Sequence, residues 1–151
     1  MTMNKIGIQN NRVKIKLRLY ILGTDGAGVL EISFPDGFVL SVPLKARHIK
    51  LLNIQNNALI EDRDLEYEPA RGWLTNEQIA SIYDREYPHN LVPGVNVFSV
   101  YRSQINKAIK KKISKLYPTR EIPSVFCSEK NVGTRLVSEI EIVDRRLRGT
   151  C

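Results

Sequence analysis

Val97-Phe-Ser-Val-Tyr-Arg-Ser-Gln-Ile-Asn-Lys-Ala-Ile-Lys-Lys-Lys-Ile113 decides how the rest of the chain is read. At about 100° of rotation per residue, Phe98, Tyr101, Ile105, Ala108, Ile109, Ile113 and Leu116 fall on one apolar stripe, which predicts a long helix over 96–116. Pro118 ends it, because proline lacks the N–H a helix needs and clashes with the preceding turn. The opposite face carries Asn96, Val100, Ser103, Gln104, Lys107, Lys110, Lys111 and Ser114, with Arg102 and Lys112 at its flanks.

Charge singles out the same stretch. The chain of 151 residues has 23 Lys and Arg against 16 Asp and Glu, a net +7. Residues 87–120 hold 7 basic residues and no acid, so the rest of the chain balances at 16 against 16. The preceding segment, 61–86, is the reverse, with 8 acidic and 3 basic residues. One acid-free helix therefore supplies most of the excess, and a polyanion is its natural partner.

Working back from that helix, Leu74-Thr75-Asn76-Glu77-Gln78-Ile79 has the form of a capping box with a hydrophobic staple, and it predicts a helix over 75–86 stopped by Pro88. Before it lies an acidic insertion, 61–71. A first helix is expected over 43–60, with Pro43 in its first turn and Ile49, Leu52 and Leu59 facing inward. Still earlier, Val13, Ile15, Leu17, Leu19 and Ile21 alternate with Lys14, Lys16, Arg18 and Tyr20. With turn chemistry at Gly23–Gly28 and Pro35-Asp36-Gly37, they predict an antiparallel β-meander over 12–42. Working forward, Ile122–Phe126 and Thr134–Val143 flank a turn at 128–133, which predicts a β-hairpin over 122–143. The expectation is one α+β domain over 12–143, between a flexible N-terminus at 1–11 and a basic tail at 144–151. In outline it is a winged helix-turn-helix, with meander, three helices and a C-terminal hairpin wing.

A groove-entering role fits the helix at 96–116. Lys107, Lys110, Lys111 and Lys115 are expected to anchor phosphates, while Asn96, Ser99, Ser103, Gln104 and Lys107 read base edges and Arg102 flanks them. The rival from another class is a protein-interaction module docking an acidic partner by the same helix, since fold does not settle function. RNA is the weaker expectation, because that face lacks exposed aromatics for base stacking.

Residues about 72–137 resemble the OmpR/PhoB-type winged-helix DNA-binding domain. The resemblance lies in Gly72-Trp-Leu-Thr-Asn-Glu-Gln-Ile-Ala80, in the stretch from Val97 to Ile113, and in Asn131-Val-Gly-Thr-Arg-Leu136. That family also places a small antiparallel sheet before its first helix. Here Thr134 stands where the family usually has an aromatic, and 61–71 lengthens the connection between helices one and two. The resemblance implies binding of double-stranded DNA by Asn96–Lys115, with Lys130, Asn131 and Arg135 of the wing at a neighbouring minor groove or backbone. It also implies that the loop Pro88–Asn96 contacts RNA polymerase or another regulator, and a homodimer on DNA is compatible with it.

Other classes find no support. Cys127 and Cys151 cannot form a disulfide framework or a four-thiolate zinc site. No stretch has the length and apolarity of a membrane span, and residues 1–10 lack the apolar core of a secretory signal, so a cytoplasmic protein is expected. The acidic run from Glu61 to Glu68 has Tyr67 where a calcium loop needs glycine. Gly23–Gly28 is followed by no Gly-Lys-Ser/Thr, and His48 and His89 are isolated. No catalytic grouping, metal site or cofactor is expected.

Overall fold

Alternation becomes burial at the start of the chain. The computed structural model describes residues 14–89, 94–117 and 119–146, so the expected N-terminal arm and the tail beyond 146 lie outside the described residues. In β1 (Lys16–Ile21), Leu17, Leu19 and Ile21 are buried while Lys16 and Arg18 are exposed. β1 pairs antiparallel with β2 (Gly28–Ser33), and β2 with β3 (Val39–Leu44), setting Leu19 against Leu30 and Leu30 against Val42. A period of two gathers these side chains on one face. The turn between β2 and β3 uses Gly37 at φ 91°, a left-handed value that glycine adopts without strain, while Asp36 Oδ1 accepts the Phe38 N–H at 3.2 Å.

Pro43 does not open the first helix. It lies in β3 opposite Val29, and β3 is an outer strand of its sheet. An edge tolerates a residue with no N–H to donate, so the strand runs on to Leu44. α1 (Ala46–Glu61) therefore starts later than expected and lays Ile49, Leu51, Leu52, Ile54 and Leu59 into the core under the sheet.

The expected single hairpin over 122–143 divides in two. β4 (Phe126–Glu129) and β5 (Gly133–Leu136) form a short antiparallel hairpin. β6 (Ile140–Asp144) leaves it and pairs parallel with β1, Leu17 opposite Ile140, giving a four-stranded sheet of order β3-β2-β1-β6. Two buried carboxamides of α1 direct this departure. Gln55 donates from Nε2 to the Thr134 carbonyl at 3.1 Å. Asn56 donates to the Ile140 carbonyl at 3.0 Å and accepts the Ile140 N–H at 2.7 Å, as a neighbouring strand would. Across the new pair Arg18 meets Glu141 at 2.7 Å.

α2 (Asn76–Glu86) begins with the expected capping box: Thr75 Oγ1 accepts from the Gln78 N–H at 3.1 Å, and Gln78 Oε1 accepts from the Thr75 N–H at 2.8 Å. Just before it, Leu74 and Thr134 exchange both backbone hydrogen bonds, which ties the hairpin to the start of α2. Gly133 makes that approach possible, since a Cβ there would lie 2.3 Å from the Leu74 carbonyl oxygen. α3 (Val97–Leu116) closes the core with Phe98, Ile105, Ile109 and Ile113. The architecture is α+β: an N-terminal sheet of three consecutive strands joined by a late fourth, three helices, and a C-terminal hairpin. Among the described residues no helix is long and apolar enough to cross a membrane.

Candidate nucleic-acid interface

The stripe that buries Phe98, Ile105, Ile109 and Ile113 fixes what α3 shows to solvent. Ser103, Lys107, Lys110, Lys111 and Lys115 are exposed, and Asn96 is exposed at the helix start with no side-chain cap bond. None of the lysines at 107, 110, 111, 112 and 115 forms an ion pair with a described residue. At the β4–β5 turn, Lys130 and Asn131 are also exposed, Asn131 at φ 66°. Eight of the expected site residues thus present exposed polar groups on the helix or at the hairpin tip.

Four others are engaged inside the protein. Arg135, expected on the wing surface, is only 6% exposed. Its Nη2 donates to Glu68 Oε1 at 2.7 Å, its Nε donates to the Leu136 carbonyl, and its guanidinium lies 5.9 Å from the Trp73 ring centre. It fastens the acidic insertion to the hairpin, and contact with a phosphate would require breaking that pair. Gln104 was expected to read a base, but it turns towards α1: its Oε1 lies 2.8 Å from His48 Nε2 and accepts from Arg47 Nη2 at 3.4 Å. Ser99 and Arg102 join α2 instead of standing free. Asn76 donates to Ser99 Oγ at 3.0 Å, and Arg102 Nη2 donates to Asn76 Oδ1 at 2.8 Å. Arg120, from the same basic segment, pairs with Asp36 at 2.9 Å and lies over Phe38. Two of the seven cations in 87–120 therefore serve the fold, and Lys107, Lys110, Lys111 and Lys115 carry the exposed charge beside the half-buried Lys112.

The acidic insertion is a structural strap. Asp62 Oδ2 accepts the Gly72 N–H at 2.8 Å, Glu68 holds Arg135, and Arg63 pairs with Glu139. Among the described residues no group of three or more His, Cys, Asp and Glu side chains could hold a metal. The expected polymerase-contacting loop is described only at 88–89 and 94–96; residues 90–93 lie outside the described residues.

His48, which the sequence left isolated, proves to be a buried link between α1 and α3. Its Nδ1 is buried without a partner among the described residues, and Arg47 and Lys45 are close enough to oppose a second proton. Burial above all holds its pKa below the ordinary 6.5. The unfolded chain therefore takes up the proton first as pH falls. Stability should be flat above about pH 6.5 and decline below it until the folded-state pKa is reached. The carboxylates with lowered pKa values, Asp36, Glu139 and Asp144, act later, because their ordinary values are 3.8, 4.5 and 3.8. Denaturant midpoints from pH 7.5 to 5 should fall for the native chain and flatten for His48→Gln. Parallel curves for the two chains would refute this assignment.

Comparison with protein-family models, characterised proteins and solved structures gives no match.

Proposed function

We propose that this chain is a winged helix-turn-helix protein of the OmpR/PhoB type that binds double-stranded DNA in a sequence-specific way and regulates transcription. α3 enters the major groove, Lys107, Lys110, Lys111 and Lys115 contact phosphates, and Ser103 and Asn96 face base edges. The hairpin tip, with Lys130 and Asn131, reaches the adjoining backbone. The observation that carries this reading is the exposed face of α3: one helix displays four exposed lysines and the half-buried Lys112, none of them paired with a described acid, and no acidic residue stands on it. Such a surface pays a repulsive cost when free and is relieved by a polyanion. The capped α2 packs against α3 and is hydrogen-bonded to the hairpin, which supports the same arrangement.

If about six phosphates are neutralised, the log–log dependence of affinity on salt should have a slope near −5. Fluorescence anisotropy on a labelled duplex between about 50 and 200 mM salt measures it. A slope near zero, or equal retention of an acidic peptide with no duplex binding, would turn the reading to a protein-docking module.

A further inference from the structure

Between α3 and the strand that leads the hairpin runs a cleft of about 540 Å³. α3 contributes Arg102, Ser103, Lys107 and Lys110 to one wall, and Ser124 and Ser128 stand on the other. Among the described residues no carboxylate lines it. Arg102 is the unusual member. Asn76 Oδ1 and Ser99 Oγ hold its Nη2, but among the described residues Nη1 is buried with no hydrogen-bond partner, and no acidic group pairs with the guanidinium. Burial without a counter-charge is costly for a cation and here pushes its pKa down.

We propose that this cleft is a phosphate-binding site, with Arg102 as its central cation and Lys107 and Lys110 at its mouth. A tetrahedral phosphate offers acceptors to a guanidinium, two ammonium groups and the Ser103 hydroxyl together, and supplies the missing negative charge, while Ser124 Oγ donates to the Phe126 carbonyl and Ser128 Oγ bonds Thr134 Oγ1. The α2–α3 contact through Asn76 holds the Arg102 side chain in place before any ligand arrives. Two sources share this chemistry: a phosphate of a nucleic-acid backbone, and a free phosphate or phosphomonoester. The backbone is favoured because the cleft adjoins the exposed lysine face of α3, and that choice of source rests on the duplex-binding reading.

The test uses the full chain, followed by amide NMR at constant ionic strength. Inorganic phosphate should shift amides around 102–110 and 124–128 saturably, with chloride as the control. Arg102→Gln should weaken that binding at least 10-fold. Because Arg102 also ties α2 to α3, Lys107→Ala/Lys110→Ala at exposed positions serves as the second variant and should weaken it similarly. A short duplex should shift the same amides, and both variants should weaken it regardless of sequence. Shifts that never saturate, or saturate alike in native chain and both variants, overturn the site. Duplex binding with a steep salt slope but no saturable phosphate site also overturns it, leaving the duplex reading intact. Saturable phosphate binding lost in the variants, with no duplex binding at all, upholds the site and assigns it to a free phosphate or phosphomonoester.

Discussion

Replacing Lys107, Lys110 and Lys111 together by alanine should lower duplex affinity about 100-fold at ~0.15 M salt. Each lost phosphate contact removes roughly 0.9 from the salt slope, which at that salt corresponds to about 0.7 log units of affinity, so three remove about two decades. The slope itself should flatten by about three, from near −5 towards −2. All three side chains are exposed and make no ion pair with a described residue, so stability should stay within about 0.5 kcal/mol of the native chain. Matched unfolding curves and anisotropy titrations on one specific and one random duplex measure both effects. Loss of equal size on the two duplexes is the expected signature of phosphate contacts, which carry no sequence information. A loss confined to the specific duplex, or smaller than tenfold on both, would falsify the assignment of these lysines. Arg120→Ala is the instructive contrast: its guanidinium is occupied by Asp36 and the rings of Phe34 and Phe38. Stability, rather than the salt slope, should register its removal.

Periodic features were legible in the sequence and long-range polar pairings were not. The stripe Phe98–Ile105–Ile109–Ile113, the Thr75–Gln78 box and the alternation of β1 are local patterns, and each local rule agrees with the final packing. Charge counts located the basic segment but treated all its cations as equivalent. Arg102 and Arg120 differ from the lysines only through Asn76 and Asp36, residues 26 and 84 positions away, which no spacing rule connects. Gln104 is a similar case: the helical wheel set it on the polar face, but its side chain turns to His48 of α1. The stretch from Thr134 to Val143 read as one strand because Leu136, Ile140 and Ile142 fall at even spacing, but Thr134, Arg135 and Leu136 are all buried in β5. The change of sheet between β5 and β6 is fixed by buried amides on α1.

Asn56→Leu should have the largest effect on stability of any single change considered, about 3 kcal/mol, for reasons that bear on the interface as well as the core. The carboxamide is 2% exposed and forms both hydrogen bonds available to the Ile140 backbone. Leucine keeps the branched shape and the number of heavy atoms and leaves no cavity; the cost comes from a buried N–H and C=O left unpaired, each worth about 1–3 kcal/mol. For a chain of this size that corresponds to a fall in melting temperature of roughly 10 °C. Hydrogen exchange should localise the change: amides of β6 and its partner β1 lose protection, while the β2–β3 ladder keeps most of its own. Freed of Asn56, β6 no longer fixes where β5 must end. The hairpin then depends on Gln55, on the Leu74–Thr134 pair and on the strap from Glu68 to Arg135. Those contacts position β4 and β5 directly, so duplex affinity below the melting range should fall only a few-fold. A melting temperature within about 2 °C of the native chain, or exchange rising evenly over all four strands, would show that Ile140 finds another partner and that Asn56 does not anchor the fourth strand.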